Sequence, residues 1–184
     1  MAAAAMEVRV RPAREADVAA IAAIYAVEVR EFVNTYEYDA PGEAEMLRRM
    51  RAVLDAGYPY LVAEIDGEVA GYAYASSFRT RTAYQWTVEN SVYVAAGWQG
   101  RGIGAALMAR LIAECEARGY RQMVAVIGEA ANAASIRLHE RFGFRHLASF
   151  PGIAWKHGRW LDTVFMQRAL GAGDGAPPQE PPAP

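Results

Sequence analysis

This sequence has few cysteines, few lysines and little net charge. The shortage of cysteine excludes a disulfide bond, and the low net charge argues against a nucleic-acid-binding protein. With one cysteine, Cys115, no intramolecular disulfide can form. A formal net charge of −2 gives no electrostatic reason to expect a nucleic-acid partner. Lysine occurs once, at Lys156, whereas arginine occurs 18 times.

Long apolar runs are absent as well. None approaches the roughly 20 residues that a membrane-spanning helix needs, so we expect no membrane partner. Residues 1–6 are rich in alanine but lack the charged region and the length of a signal peptide. These features favour a cytoplasmic protein.

The composition fits one soluble domain. The chain has 184 residues, of which 53% are hydrophobic and 22% charged, and this is enough to bury a core. We assign residues 7–170 to the domain. Residues 171–184 hold five of the nine prolines among glycine and alanine, so we expect this tail to be disordered, as we do residues 1–6.

Apolar periodicity predicts a mixed fold of the α/β (α+β) class. Helical spacing predicts helices after Pro12, over Glu43–Ala56, from Ile103 to about Arg118, and over Asn132–Phe142. Strands are predicted at Glu7–Arg11, Tyr60–Ile65, Val69–Ser76, Trp86–Val94, Met123–Ile127, Phe144–Phe150 and Trp160–Arg168. This order gives a mixed central sheet of about six to seven strands with helices on both faces.

A glycine-rich turn joins one of these strands to the helix that follows it. It reads Trp98-Gln99-Gly100-Arg101-Gly102-Ile103-Gly104. Glycines let the backbone approach a ligand, and free N–H groups at a helix start attract negative charge. The spacing fits neither a dinucleotide fingerprint nor a P-loop. The segment therefore predicts a phosphate or pyrophosphate site, and an ordinary strand–turn–helix junction is the alternative. Cys115 lies on the apolar face of this helix and is interpreted as a packing residue.

The strand before this turn carries a carboxylate. Alternation along Trp86–Val94 places Glu89 on the same face as Thr87, Ser91 and Tyr93. A carboxylate in a central strand is costly unless it is used or satisfied. Glu89 is therefore either a catalytic group or one partner of a satisfied ion pair.

The helix predicted after Met123–Ile127 carries a polar stripe. Asn132 is suited to be its N-cap residue, and Ser135 and His139 follow at intervals that share its face. A single helical histidine is usually a surface or satisfied core residue. The two small polar neighbours on the same face weaken that interpretation for His139, and both a structural and a functional role stay open.

Basic and aromatic residues alternate in the loop that enters the Glu89 strand. Arg79, Arg81 and Tyr84 belong to this run. Such a loop is commonly solvated, but guanidinium groups also bind carboxylate or phosphinate groups through paired hydrogen bonds.

Taken together, these segments resemble the GNAT superfamily of acyl-CoA-dependent N-acyltransferases from about Glu7 to Leu170. Within it the chain is similar to the phosphinothricin and methionine sulfoximine N-acetyltransferases. Besides Gln99-x-x-Gly102-x-Gly104, the resemblance rests on Ala83-Tyr84-Gln85-Trp86-Thr87-Val88-Glu89, Ser91-Val92-Tyr93-Val94, Val124-Ala125-Val126-Ile127-Gly128, Ser135-Ile136-Arg137-Leu138-His139-Glu140 and Lys156-His157-Gly158. One departure is Trp98-Gln99-Gly100, where many relatives carry a basic residue beside the glutamine.

The resemblance implies a GNAT fold and acetyl transfer from acetyl-CoA, the co-substrate, to the primary amine of an amino acid. Glu89 would be the general base that takes a proton from the ammonium group. His139 stands where many relatives have a tyrosine, and it would protonate the leaving thiolate or contact the substrate. Which of the two residues is the principal base stays open.

The same resemblance assigns the binding residues. Those expected to bind acetyl-CoA are Gln99, Gly100, Arg101, Gly102, Ile103, Gly104, Val92, Tyr93, Val94, Asn132 and Ser135. Those expected to bind the acceptor are Arg79, Arg81, Tyr84, Phe32 and Tyr36, the last two in an irregular segment over Val27–Tyr38 that includes a short helix. No metal is expected, and a homodimer is expected by resemblance alone.

Two other readings stay open. The acceptor can be a different amine, although the acidic walls that polyamines and aminoglycosides need are at odds with Arg79 and Arg81. The chain can also be a non-catalytic acyl-CoA-binding module, which would need neither Glu89 nor His139. The sequence does not separate phosphinothricin from methionine sulfoximine or methionine sulfone.

Overall fold

The computed structural model describes residues 7–129, 131–178 and 180–182. The elements follow one another as β1 (Arg9–Pro12), α1 (Val18–Glu31), α2 (Glu43–Asp55), β2 (Tyr60–Ile65), β3 (Glu68–Ser77), β4 (Thr87–Val94), α3 (Ile103–Ala117), β5 (Gln122–Gly128), α4 (Ala133–Arg141), β6 (Arg145–Lys156) and β7 (Arg159–Ala169). Short 3-10 turns lie at Glu15–Asp17 and Thr82–Tyr84. The other predicted helices and strands are present, with ends that differ by a few residues, but the short helix expected within Val27–Tyr38 is not a separate element, because α1 continues to Glu31.

All seven strands form one sheet in the order β1-β2-β3-β4-β5-β7-β6. Five neighbouring pairs are antiparallel, and only β4 and β5 run parallel. A parallel pair needs a crossover connection, and α3 supplies it. The expected mixed sheet with helices on both faces is therefore confirmed.

Each face of the sheet has its own core. Leu107, Leu111 and Cys115 of α3 are fully buried against one face. Ile21 of α1 and Met50 of α2 are buried against the other, where tyrosine rings of β2, β3 and β4 stack. Burial raises the pKa of the Cys115 thiol to about 12, which keeps it protonated and inert. Its interpretation as a packing residue agrees with this position.

Local sequence explains the turns and helix ends. Asp66 and Gly67 both have positive φ, 49° and 85°, as the tight hairpin turn between β2 and β3 requires. Gly119 ends α3 with φ of 88°. β6 runs well past the predicted end at Phe150, because an edge strand tolerates the Pro151–Gly152 irregularity in its pairing with β7.

Two predictions concern the ends of the chain. Residues 1–6 lie outside the described residues. In the tail, Arg121 donates hydrogen bonds to the carbonyl oxygens of Gly173 (2.8 Å) and Ala176 (2.7 Å), which places this part beside the start of β5. Disorder of residues 171–184 stays a prediction. Among the described residues, no helix is long and apolar enough to cross a membrane.

Gly71 gives a direct test of how closely α3 packs on the sheet. A Cβ at this position would lie 2.8 Å from the carbonyl oxygen of Tyr93 and 3.2 Å from Ile103. We expect Gly71→Ala to lower the unfolding free energy by about 1–3 kcal/mol. Thermal denaturation checks this. The matched control is Gly42→Ala, whose Cβ meets nothing within 4 Å. An equal loss in both variants would contradict the packing explanation.

Candidate active site

The site begins where β4 and β5 part. The two strands pair only at Thr87, Val88 and Glu89. Beyond Glu89 they diverge, so the edge of β4 that faces β5 has no partner strand within the described residues. A cavity of about 1200 Å³ lies in this gap. Val92, Tyr93 and Val94 line it. The β3–β4 register bonds the main chain of Tyr93 to β3, so the main-chain groups of Val92 and Val94 are the ones that face the gap and can bind an extended ligand in the manner of a strand.

The glycine-rich turn closes one end of the cavity. Gly100 and Gly102 have φ of 75° and 84°, and a Cβ at either would meet nothing within 4 Å. Glycine is therefore required there by backbone conformation rather than by space. Gly102 is the N-cap residue of α3 and its position carries no capping side chain, so the first N–H groups of the helix are free for an anion.

Other residues shape this turn. Gln99 accepts a hydrogen bond from the N–H of Gly97 (3.0 Å) and donates to the carbonyl of Val94 (3.4 Å). The Arg101 guanidinium stacks over the ring of Trp98 at 5.0 Å from its centroid. Arg101 is exposed and is not part of the cavity wall, whereas Gln99 is.

Glu89 lies in the cavity wall at the last paired position of β4. Among the described residues, no side chain forms a hydrogen bond with its carboxylate. Burial raises the pKa of Glu89, and the positive charge of Arg79 partly opposes this. Nothing in the described chain satisfies this carboxylate as an ion pair would, and its raised pKa suits an acceptor of protons.

His139 is 5% exposed and has hydrogen bonds at both ring nitrogens. Its Nδ1 lies 2.7 Å from the carbonyl oxygen of Ser135, which can only accept, so Nδ1 carries a proton. Burial lowers the pKa of His139, so the ring is neutral at neutral pH. Its Nε2 then accepts a hydrogen bond from Nδ2 of Asn90 at 2.9 Å.

Asn90 is a site residue that the sequence analysis missed. It is 6% exposed, lines the cavity and points to the face opposite Glu89, where the alternation of β4 predicts aliphatic residues. Its Oδ1 is buried and has no hydrogen-bond partner among the described residues. The only available signal was an amide at a strand position that faces the core.

The start of α4 meets the cavity as predicted. Asn132 Oδ1 accepts a hydrogen bond from the Ser135 N–H at 3.1 Å, which makes Asn132 the N-cap residue. Asn132 Nδ2 donates to Oδ1 of Asn34 at 2.7 Å, and Asn34 Nδ2 donates to the Glu28 carboxylate at 2.6 Å. These bonds join α4 to the chain that follows α1.

That chain is irregular over residues 32–38, which we name the strap. α1 continues through Glu31, so the irregular segment begins later than the predicted Val27. Phe32 and Tyr36 line the cavity, and Tyr36 hydrogen bonds with Thr163 of β7. The strap crosses close to β5, since a Cβ on Gly128 would lie 2.2 Å from the Val33 carbonyl oxygen.

The three residues predicted in the loop before β4, which we name the arginine-rich loop, lie outside the cavity. Arg79, Arg81 and Tyr84 are exposed and are not part of the cavity wall of the single chain. Arg79 is still close enough for its charge to affect Glu89. Two arginines that the sequence analysis did not select, Arg137 and Arg141 of α4, do line the cavity.

The remaining predicted residues come together in one place. Those in the wall of the same cavity are Phe32, Tyr36, Glu89, Val92, Tyr93, Val94, Gln99, Gly100, Gly102, Ile103, Gly104, Asn132, Ser135 and His139. A parted pair of parallel strands, an anion-binding helix start and a carboxylate in one cavity define an acyl-transfer class of site.

Comparison with known proteins agrees with this class. Residues 19–144 match the acetyltransferase (GNAT) family. The chain belongs to this family, and it is a GNAT N-acetyltransferase of the phosphinothricin acetyltransferase-like type. It is 47% identical to a phosphinothricin N-acetyltransferase of Alcaligenes faecalis over 170 residues, covering 92% of this chain and 86% of the relative.

Two further relatives are similar over most of their length. An L-methionine sulfoximine/L-methionine sulfone acetyltransferase of Salmonella typhimurium is 42% identical, covering 88% of this chain and 94% of the relative. A GNAT superfamily phosphinothricin acetyltransferase from Sinorhizobium meliloti, solved in complex with acetyl-CoA, is 47% identical with a TM-score of 0.93, covering 97% of each chain. The expected GNAT fold is confirmed.

The effect of Arg79 on Glu89 can be measured without any assay of activity. Because the Arg79 charge lowers the pKa of Glu89, we expect Arg79→Gln to raise that pKa further. NMR titration of the Glu89 carboxyl carbon in carboxyl-labelled protein checks this. Arg81→Gln is the matched control and is expected to leave the titration unchanged. A Glu89 pKa that shifts equally in both variants would show that the loop acts through its overall charge.

Proposed function

We propose that this chain is a cytoplasmic enzyme that acetylates the α-amino group of a glutamate-like amino acid, with acetyl-CoA as the acetyl donor. Phosphinothricin, methionine sulfoximine and methionine sulfone are the candidate acceptors. The observation that carries the proposal is Glu89, an unpartnered carboxylate of raised pKa in the same cavity as the glycine-rich start of α3. The similarity to the relatives named above supports the acceptor class.

The residues present fit acetyl-CoA. The free N–H groups at the start of α3 suit its pyrophosphate. The unpaired edge of β4 at Val92 and Val94 suits the amides of its pantetheine arm, and the N–H of Val92 would polarise the thioester carbonyl, whereas the main chain of Tyr93 is bonded to β3. Asn132 and Ser135, at the start of α4, would contact the other side of acetyl-CoA.

Glu89 is the group we assign as general base. An ammonium group has no lone pair, so the acceptor must first transfer a proton to the carboxylate. The free amine then attacks the thioester carbon. As the tetrahedral intermediate collapses, the C–S bond breaks and the second proton of the nitrogen passes to the departing sulfur, which gives the amide and the free thiol of coenzyme A. Positioned proton transfer of this kind typically contributes about 10²–10⁴-fold.

His139 is the less suitable base. Both of its ring nitrogens are occupied, by Ser135 and by Asn90, whereas the Glu89 carboxylate is free of such bonds in the described chain. A neutral ring whose one proton is bound to a carbonyl is also a poor donor to the thiolate. We therefore propose that His139 shapes the site through Asn90 while Glu89 transfers the proton.

The acceptor would lie between Glu89 and the strap. Phe32 and Tyr36 would cover it, and Arg79, with Arg81 and Tyr84 nearby in the loop, would bind its acidic groups. The Arg79 charge already reaches Glu89, which supports this arrangement. A cationic acceptor would be repelled by the same arginines.

Turnover with a panel of acceptors tests the function. With acetyl-CoA and thiol release as the readout, we expect acetylation of phosphinothricin or methionine sulfoximine but not of spermidine or kanamycin. Glu89→Gln should lower kcat by about 10²–10⁴-fold, because the amide cannot take the proton. Binding of acetyl-CoA by this variant, measured calorimetrically, is the control and should be retained. Turnover of the cationic amines alone would contradict the acceptor assignment, and acetyl-CoA binding without turnover would favour a non-catalytic module.

We also propose that the enzyme is a homodimer formed through the β6–β7 hairpin. Among the residues that the structure describes, ten large hydrophobic side chains are exposed, and five of them lie on these two strands. They are Leu147, Phe150, Ile153, Trp155 and Trp160. A patch of this kind on a domain with an edge strand is typical of a protein interface.

A single charge tests the dimer. Ile153 is 51% exposed, so Ile153→Glu should leave the fold intact and separate the subunits. Light scattering coupled to size-exclusion chromatography should then give the mass of one chain for the variant and of two for the unmodified protein. Leu54→Glu, at a 39% exposed position of α2, is the control and should remain dimeric. A wild-type protein that is monomeric at micromolar concentration would contradict the proposal.

A further inference from the structure

Lys156 is the one lysine of the chain and is 1% exposed. It occupies the last position of β6, directly before the turn at His157 and Gly158, which have φ of 50° and 74°. This tight turn pairs Lys156 with Arg159 and directs the lysine side chain inward. The activity described above makes no use of it.

The ammonium group is bound to the main chain of the strap. Its Nζ donates to the carbonyl oxygen of Phe32 at 2.9 Å and to that of Thr35 at 2.7 Å. An ammonium group removed from water is costly unless its protons are bound. Burial accordingly lowers the pKa of Lys156, while the charges of Glu28 and Glu37 act in the opposite direction.

These two carbonyls belong to a segment without regular structure. The strap therefore depends on side chains to satisfy its backbone. Lys156 bonds to it at Phe32 and at Thr35, and the cavity wall includes Phe32 itself and Tyr36, the residue after Thr35. The position of these two rings thus depends on where Nζ holds the backbone.

The choice of residue points the same way. Elsewhere the chain uses arginine for its basic positions, 18 times in all. At position 156 a planar guanidinium would need more room than a compact ammonium, whose three rotatable protons can serve two carbonyls at once. A lysine in this one place indicates a requirement of shape that arginine does not meet.

We propose that Lys156 is a positioning residue for the acceptor: its Nζ fixes the carbonyls of Phe32 and Thr35 and so sets the wall that Phe32 and Tyr36 form opposite Glu89. This role rests on the proposed acetylation of an amino acid. The acetyl-CoA contacts at α3 and β4 lie on other elements and do not depend on Lys156.

The test compares Lys156→Met, Lys156→Arg and the control His157→Ala in steady-state kinetics. Met keeps the length and suits a buried position but donates nothing. We expect Lys156→Met to raise KM for the acceptor about tenfold while KM for acetyl-CoA stays within about twofold. Lys156→Arg retains the charge but not the shape, and it should raise KM for the acceptor as well. His157 is exposed, and its Nε2 makes a single, longer contact of 3.3 Å with the Phe32 carbonyl oxygen, so His157→Ala should change neither constant by more than about twofold.

Hydrogen exchange gives a readout that needs no acceptor. In either Lys156 variant, the hydrogen-bonded amides of Phe32 and Glu37 should exchange at least about tenfold faster, with those of β4 and α3 unchanged. If the unmodified protein acetylates none of the acceptors tested, the proposed function fails, and this exchange pattern alone decides the role of Lys156. The proposal is overturned if a folded Lys156 variant keeps its acceptor KM within about twofold, or if exchange rises equally over the whole chain.

Discussion

The parting of β4 and β5 is the constraint on which the rest of this structure depends. Two parallel strands that pair at only three positions leave main-chain donors and acceptors of β4 without a strand partner. Such groups need a partner, and a ligand that carries amides along an extended arm can provide one. The same gap opens the sheet at its centre, so Glu89, at the last paired position, faces a cavity. The open edge of β4 and the position of the Glu89 carboxylate in the cavity wall thus arise from one break in the sheet.

Two hydrogen-bond networks, one built on the buried His139 and Asn90 and one that is partly exposed, hold the walls of this gap in place. On one face, Ser135, His139 and Asn90 link α4 to β4. On the other, Asn132, Asn34 and Glu28 link α4 to α1 and the strap. Hydrogen bonds to buried groups are modest in net energy when made and expensive when lost. They therefore specify geometry more than they add stability, which suits a site that must hold two substrates in register.

Much of the fold could be predicted because its signals are local. Periodicity, the Asp66-Gly67 turn and the glycines after β4 each act within a few residues. The site was predictable where chemistry demands a residue type at one position, as for Glu89, the turn and the Asn132 cap. Asn90 was missed because alternation predicts only that a residue points inward, not that it meets an imidazole 49 positions away. The loop with Arg79 and Arg81 shows a different limit. Its composition suggested an anion-binding role, but composition could not predict that these side chains lie outside the cavity wall.

The buried state of Lys156 also bears on the chemistry of the donor. Thioesters acylate exposed amines slowly without any catalyst, and a protein that handles acetyl-CoA is continually in contact with one. This chain places its single lysine amine at 1% exposure, with two of its protons bound to carbonyl oxygens. Arginine, which carries the remaining positive charge, does not lose its proton in proteins and so has no nucleophilic lone pair. The lysine and arginine side chains of this enzyme are accordingly resistant to acylation by its own substrate.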